Sequence, residues 1–170
     1  MDVILHLEYE ESGFIEALIN NERWAYKKLY EDNYSTMMSL AMRYAGCNDD
    51  ALDILHEGFV KVFRHIGKYQ VGTSLQAWIR RIIINTAIDF YRKDIRRKAE
   101  DLETAYHIST NEPDAISNLT SEEILKAMQQ LSPSYRSVFN LYVIEGYSHK
   151  EISELLHITE STCRSNLVKA

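Results

Sequence analysis

Proline and glycine are scarce in this chain, two and six among 170 residues. So few turn-formers, with apolar residues recurring at helical spacing throughout, point to an all-α protein. No apolar run approaches the length of a membrane span, which excludes insertion through a helix. The opening "MDVILHLEYEES" lacks the basic start of a signal peptide. Cysteine is scarce as well. Cys47 and Cys163 lie far apart in a chain without secretory marks, so both are expected as reduced, buried thiols. Together with six histidines they show no metal-ligand spacing, and neither a metal nor a cofactor is expected. A cytoplasmic protein follows.

What is present is a strongly uneven charge. Residues 1–60 hold 4 basic and 12 acidic side chains, while residues 61–98 hold 10 basic and 2 acidic. Residues 99–131 return to 1 basic and 7 acidic, and residues 132–170 balance at 4 and 4. One basic segment in an otherwise acidic chain suggests a localised site for a polyanion. A solvated helix face is the plainer alternative, and only spacing separates the two.

Residues 14–46 predict two helices broken near Asn20 or Asn21 and ended by Gly46. Phe14, Leu18, Trp24, Leu29, Tyr30, Tyr34, Met37, Met38 and Ala41 carry their helical spacing. "NDDALDILHEGFVKVFRHIGKY" predicts a third, capped by Asn48 or Asp49, with Ile54, Leu55, Phe59, Val62, Phe63 and Ile66 inward. A Gly-Thr-Ser turn then opens one long helix, capped by Ser74 or Thr73. From about Lys98 to Thr120 the chain is acidic, polar and aperiodic, which is a flexible-linker composition. Two helical domains are therefore expected, 14–97 and 121–170, joined by the linker 98–120.

On the long helix, Leu75, Ile79, Ile82, Ile83, Thr86 and Phe90 fall on one packing face at 100° per residue. Arg81, Asn85, Ile88 and Arg92 follow i, i+4, i+7, i+11 as a separate stripe, with Trp78 at its edge. Arginines there could neutralise phosphates, Asn85 could pair with a base edge, and Trp78 could stack on an unpaired base. A rim aromatic is the competing reading of Trp78. "KDIRRK" adds positive charge at the helix C-terminus, where the macrodipole favours it with or without a ligand.

The last stretch, "YSHKEISELLHITESTCRSNLVKA", predicts a helix–turn–helix. Ser148 and Glu151 make a capping box, Ile152, Leu155 and Leu156 face inward, and "HIT" turns into a helix capped by Thr159. His157 stands where such turns usually place glycine, and a left-handed backbone there would cost roughly 1 kcal/mol. In the final helix Cys163, Leu167 and Ala170 form the inward face. Ser161, Thr162, Arg164, Ser165, Val168 and Lys169 cover the outer arc, the short polar and basic set that suits a DNA major groove. An ordinary helical hairpin is the alternative for this stretch alone.

Two DNA-facing modules joined in this order by an acidic linker resemble the bacterial sigma factors of the extracytoplasmic-function type, across about residues 14 to 170. "NDDALDILHEGFVKVFRHIGKY" is similar to the family's helix that docks on core RNA polymerase. "SLQAWIRRIIINTAIDFYRK" is similar to its start-proximal promoter helix. The last 46 or so residues resemble its module for the start-distal element. The resemblance implies core RNA polymerase and promoter DNA as partners, with an anti-sigma factor that covers the same surfaces. Asp50, Asp53, His56, Glu57 and Val60 match the polymerase-docking surface. The loop Tyr69–Ser74, through Tyr69, Thr73 and Ser74, matches the segment that captures a base flipped from the non-template strand. Trp78, Arg80, Arg81, Asn85, Arg92, Lys93, Arg96 and Arg97 lie beside it as DNA-binding candidates, with Thr159, Ser161, Thr162, Arg164, Ser165 and Lys169 in the distal module. Melting without ATP follows if a pocket there takes up an unstacked base. In the docking helix, Leu52 and His56 replace the family's usual glutamate and glutamine. The first eleven residues fall outside the resemblance and receive no role. The recognition helix is expected to run on beyond Ala170, as it does in the family.

Two rivals remain at this stage. A stand-alone helix–turn–helix repressor or activator explains the C-terminal module but leaves the Trp78–Arg92 stripe idle. A helical hydrolase using His56 and Glu57 fails on geometry, because adjacent helical residues point about 100° apart.

Overall fold

The computed structural model describes residues 2–100 and 120–170, with side chains for 11–97, Thr120 and 122–170. It contains α1 (Asp2–Ile19), α2 (Arg23–Tyr44), α3 (Asn48–His65) and a 3-10 turn (Ile66–Lys68). Then come α4 (Leu75–Glu100), α5 (Ser121–Gln130), α6 (Pro133–Phe139) running into a π turn (Asn140–Ile144), α7 (His149–Leu156) and α8 (Glu160–Lys169). No strand occurs among the described residues, and none of their helices is long and apolar enough to cross a membrane. Of the expected linker, 101–119 lie outside the described residues. Residues 98–100 belong to α4, and Thr120 caps α5.

The chain divides into two compact units, Met1–Met42 with Cys47–Ala87, and Arg43–Gly46 with Ile88–Ala170. In the first, Leu18, Leu29, Met37, Leu40, Ile54, Leu55, Val62, Ile79 and Ile83 are fully buried. α1 stops where Asn21 turns left-handed at φ 60°, and Glu22 N–H reaches back to the Ala17 carbonyl at 2.9 Å, closing the helix end. Aromatic edges seal the core, with Tyr26 against Phe63 at 4.5 Å and Tyr30 against Phe59 at 4.8 Å. Gly58 on α3 lets α4 pass close by, since a Cβ there would lie 2.3 Å from Ile83 Cδ1. A larger residue would require the Ile83 side chain to shift.

Trp24 and Tyr34 lie on α2 as their spacing predicts but are exposed, because the face that carries them lies beyond the core; Trp24 rests on Phe14 and donates to Glu22. Two expectations for this unit fail. The cap of α3 is Cys47, in extended backbone with no side-chain bond, since Asn48 and Asp49 already lie within the first turn. Cys47 is accordingly exposed, and only Cys163 is a buried thiol.

In the second unit, Thr120 and Glu123 form a full capping box on α5. Ser132 caps α6, with Pro133 at its first position, where the missing N–H costs nothing. Arg136 is buried and serves as a collector of carbonyls. It donates to Met128 O at 3.0 Å and to Gln129 O and Leu131 O at 2.8 Å, carbonyls at the end of α5. Its other nitrogen reaches Tyr44 O at 3.3 Å. Asn140 donates to Arg136 O at 2.9 Å, one turn back, where α6 loosens into the π turn. Both α6 and α7 pack on α8 around Val138, Leu141, Ile152, Leu156 and Cys163.

Candidate nucleic-acid interface

The N-terminus of α4 is fixed by Ser74, whose hydroxyl accepts Ala77 N–H at 3.2 Å. That start sets the rotation of the helix. Arg81 and Asn85 are exposed one turn apart, and Trp78 is half-buried with its ring 5.6 Å from Tyr69. Ile88 departs from the expected stripe, being only 3 % exposed. The reason is that α4 buries Ile83, Ile84, Thr86, Ala87 and Ile88 together, an arc of about 200°. Ile82 and Phe90, expected inside, are half-buried. Arg92 is half-buried and donates to the Leu155 carbonyl within the second unit, with Asp89 3.5 Å away. Arg80 is half-buried, while Lys93, Arg96 and Arg97 are exposed, Arg97 lying 3.9 Å from Asp94. The accessible surface of α4 is thus Trp78, Arg81 and Asn85 followed by a basic end.

The loop Tyr69–Ser74 is tightly organised. Thr73 donates to the Gln70 carbonyl twice, through N–H at 3.2 Å and through Oγ1 at 2.7 Å. Gly72 sits at φ 86°, a conformation open to glycine. Tyr69 is buried at 7 % exposure, so it floors the loop and leaves Thr73 and Ser74 on the surface. Its hydroxyl lies 2.5 Å from Thr73 O and 2.7 Å from Glu11 Oε1. Burial, reinforced by the Glu11 carboxylate, pushes the phenol above its ordinary value, so it stays a neutral donor. Glu11 was in no expectation, because nothing local in the sequence ties it to residues some 60 positions on.

The distal module is built as expected. Ser148 Oγ accepts Glu151 N–H at 3.3 Å, and the Glu151 carboxylate accepts the Ser148 hydroxyl and N–H at 2.7 and 2.8 Å. Those two bonds, the hydroxyl's first, hold Glu151 below the ordinary glutamate range. His157 adopts φ 55°, ψ 44°, the left-handed turn. Thr159 Oγ1 then accepts Thr162 N–H at 3.1 Å and starts α8. Cys163 anchors α8 in the core with its sulfur 3.4 Å from His149 Nδ1, and burial pushes its thiol up. His149 itself stacks on Tyr142 at 4.4 Å. Leu167 and Leu155 are half-buried, and Ala170, expected inward, is exposed at the helix end beyond its packing partners. Thr159, Ser161, Thr162, Arg164, Ser165, Val168 and Lys169 are all exposed, as a reading face requires. Arg164 pairs with Glu160 at 3.0 Å, a surface bond weak enough to be exchanged for a DNA contact.

On α3, Asp53, His56, Glu57 and Val60 recur at i, i+3, i+4, i+7, away from the buried Leu55, Phe59 and Val62. Val60 is 53 % exposed, an apolar side chain held in water beside carboxylates. Asp50 is half-buried, and Glu57 pairs with Lys61 at 3.1 Å. Among the described residues no cluster of histidine, cysteine and carboxylates could hold a metal ion.

Residues 29–97 match the family Sigma-70 region 2, and residues 121–170 match Sigma-70, region 4. The chain belongs to the sigma-70 family. Its relatives include SigE and SigM, named as ECF RNA polymerase sigma factors, and SigV, named as an RNA polymerase sigma factor. SigE of Mycolicibacterium smegmatis is 29% identical over 148 residues, which take in 84% of this chain and 57% of that protein. SigV of Bacillus subtilis is 27% identical over 82% of both chains. SigM of Mycobacterium tuberculosis is 21% identical over 96% of this sigma chain and 82% of its own. This sigma chain therefore spans less than two thirds of SigE, and most of SigV and SigM. Region 2 takes in the exposed face of α3, the loop and α4; region 4 takes in α5 to α8.

Proposed function

We propose that this protein is a transcription initiation factor that binds core RNA polymerase, recognises both promoter elements and assists melting, without catalysing a reaction itself. The observation that carries the reading is that regions 2 and 4 occur in one chain, with Thr73, Ser74, Arg81 and Asn85 of the first and Thr159, Ser161, Thr162, Arg164, Ser165 and Lys169 of the second on the surface. The domain 14–97 docks on polymerase through Asp50, Asp53, His56, Glu57 and Val60. It reads the start-proximal element through the loop, Trp78, Arg80, Arg81 and Asn85, and the basic end of α4 tracks phosphates. The domain 121–170 lays the N-terminal half of α8 in the major groove, with Arg164 and Thr162 toward base edges and Lys169 toward the backbone. Melting needs no fuel if the capture loop offsets the few kcal/mol lost when a base unstacks. An anti-sigma factor covering these surfaces, and a cytoplasmic location, belong to the same reading.

Run-off transcription with purified core polymerase and a promoter library tests it. Stable association with core and a changed set of start sites are expected. Binding of duplex DNA without either effect would establish the repressor reading instead.

A further inference from the structure

Among the described residues, Glu11 is a side chain from outside the matched regions that enters the candidate site. α1 is held on the first unit by Ile15, Ala17 and Leu18 and packs on the 3-10 turn that precedes the loop. Glu11 lies one turn before Ile15, on the same face, and is carried to the loop at residues 69–73. Its carboxylate accepts Gly72 N–H at 3.1 Å with one oxygen and faces the Tyr69 hydroxyl at 2.7 Å with the other.

The two partners differ in what they have without it. The Tyr69 hydroxyl has one proton and a second acceptor already in place, the Thr73 carbonyl. Thr73 keeps both bonds to Gln70. The frame of the loop is therefore closed on itself. Gly72 N–H is different: the carboxylate supplies its acceptor. Glu11 is only half-buried, so it can swing into water with little loss of solvation. It also places a negative charge where a nucleic-acid strand, itself an anion, would bring its own acceptor atoms.

We propose that Glu11 is a removable acidic gate on this loop, holding the Gly72 N–H until a single DNA strand displaces it with a base or phosphate oxygen. The gate rests on the reading of Tyr69–Ser74 as the strand-capturing segment. It makes strand entry selective, because only a strand already separated and positioned by other contacts competes with a tethered carboxylate. Removal of Glu11 strengthens single-strand binding and relaxes its dependence on sequence.

The test is fluorescence anisotropy of the full chain assembled on core polymerase, with a labelled, randomised single-stranded DNA pool of about 12 nucleotides. Glu11→Ala is compared with wild type and with Glu16→Ala, which removes an equal charge from an exposed position on the same helix. Glu11→Ala is expected to bind roughly three- to ten-fold tighter than Glu16→Ala, the yield of one freed donor and one removed local charge. Glu11→Gln, which keeps a carbonyl acceptor for Gly72, should fall between them and guards against a folding defect in the alanine variant. Equal affinity in the two alanine variants sinks the gate alone. Weaker binding by Glu11→Ala with an unchanged melting temperature also sinks it, and makes Glu11 an organiser of the loop. No uptake by any of the chains sinks the strand-capture reading together with the gate.

Discussion

The two candidate reading surfaces are built on opposite plans. The outer face of α8 is open: its short polar side chains and Arg164 are exposed, and the arginine holds a weak surface ion pair to Glu160. The loop Tyr69–Ser74 is closed: its tyrosine is buried, its threonine bonds inward, and the Gly72 N–H faces a carboxylate from α1. A groove in duplex DNA presents its donors and acceptors before any protein arrives, so a reader of it has only to be rigid and exposed. A base inside a stack offers nothing until it is extruded, so a surface meant for it gains from staying shut.

The largest effect expected from breaking this comparison comes from under α8. Ile152 is fully buried where α7 supports the reading helix, and Ile152→Ala should lower stability by about 2–5 kcal/mol. Urea unfolding should show that loss, and duplex binding should fall with it. Arg164→Ala leaves the scaffold alone and should weaken start-distal recognition by about 1–3 kcal/mol, read by competition between promoter variants. If its loss is equal on all sequences, Arg164 is a phosphate contact and the open face reads less than proposed. Ser148→Ala removes one side of the capping box and should cost about 1 kcal/mol. It also changes the pH profile. Because folding lowers the Glu151 value, that group's stabilisation is complete above the ordinary 4.5 and is lost as pH falls through the lowered folded value. Melting temperatures from pH 7 downward should therefore fall less steeply over that interval in Ser148→Ala than in wild type. The smallest effect has the opposite sign. His157→Gly relieves a left-handed residue and should stabilise by up to about 1 kcal/mol, less the extra freedom glycine gives the unfolded chain. A thermal melt that drops instead would show that the imidazole makes a contact outweighing the backbone strain.

How legible each surface was in the sequence follows from the same contrast. The distal module is written locally: Ser148 and Glu151, His157, and Thr159 each act on residues three or four positions away, and each landed as read. The capping box of Thr120 and Glu123 has the same spacing and was equally available, but was hidden by reading the polar stretch as linker through residue 120. α4 was legible only in part. Its buried arc is wider than a single stripe, so the periodicity that placed Ile79 and Ile83 correctly could not tell that Ile88 is covered too. The Glu11 contact was not legible at all. An acid in an acidic segment carries no mark of its partner until the chain has folded back on itself.

The contact of Gly58 with Ile83 has a consequence for how such a protein can change over time. One residue on α3 can take a side chain only by displacing a neighbour, since even a methyl group would press on the Cδ1 of a fully buried isoleucine. Its immediate neighbour Glu57, with Asp53, His56 and Val60, looks outward and is under no such limit. Substitutions along that outward flank, which carries the proposed polymerase contacts, therefore leave the packing of α3 on α4 untouched. The proposed docking face can vary without disturbing the packing that holds the proposed reading helix in place.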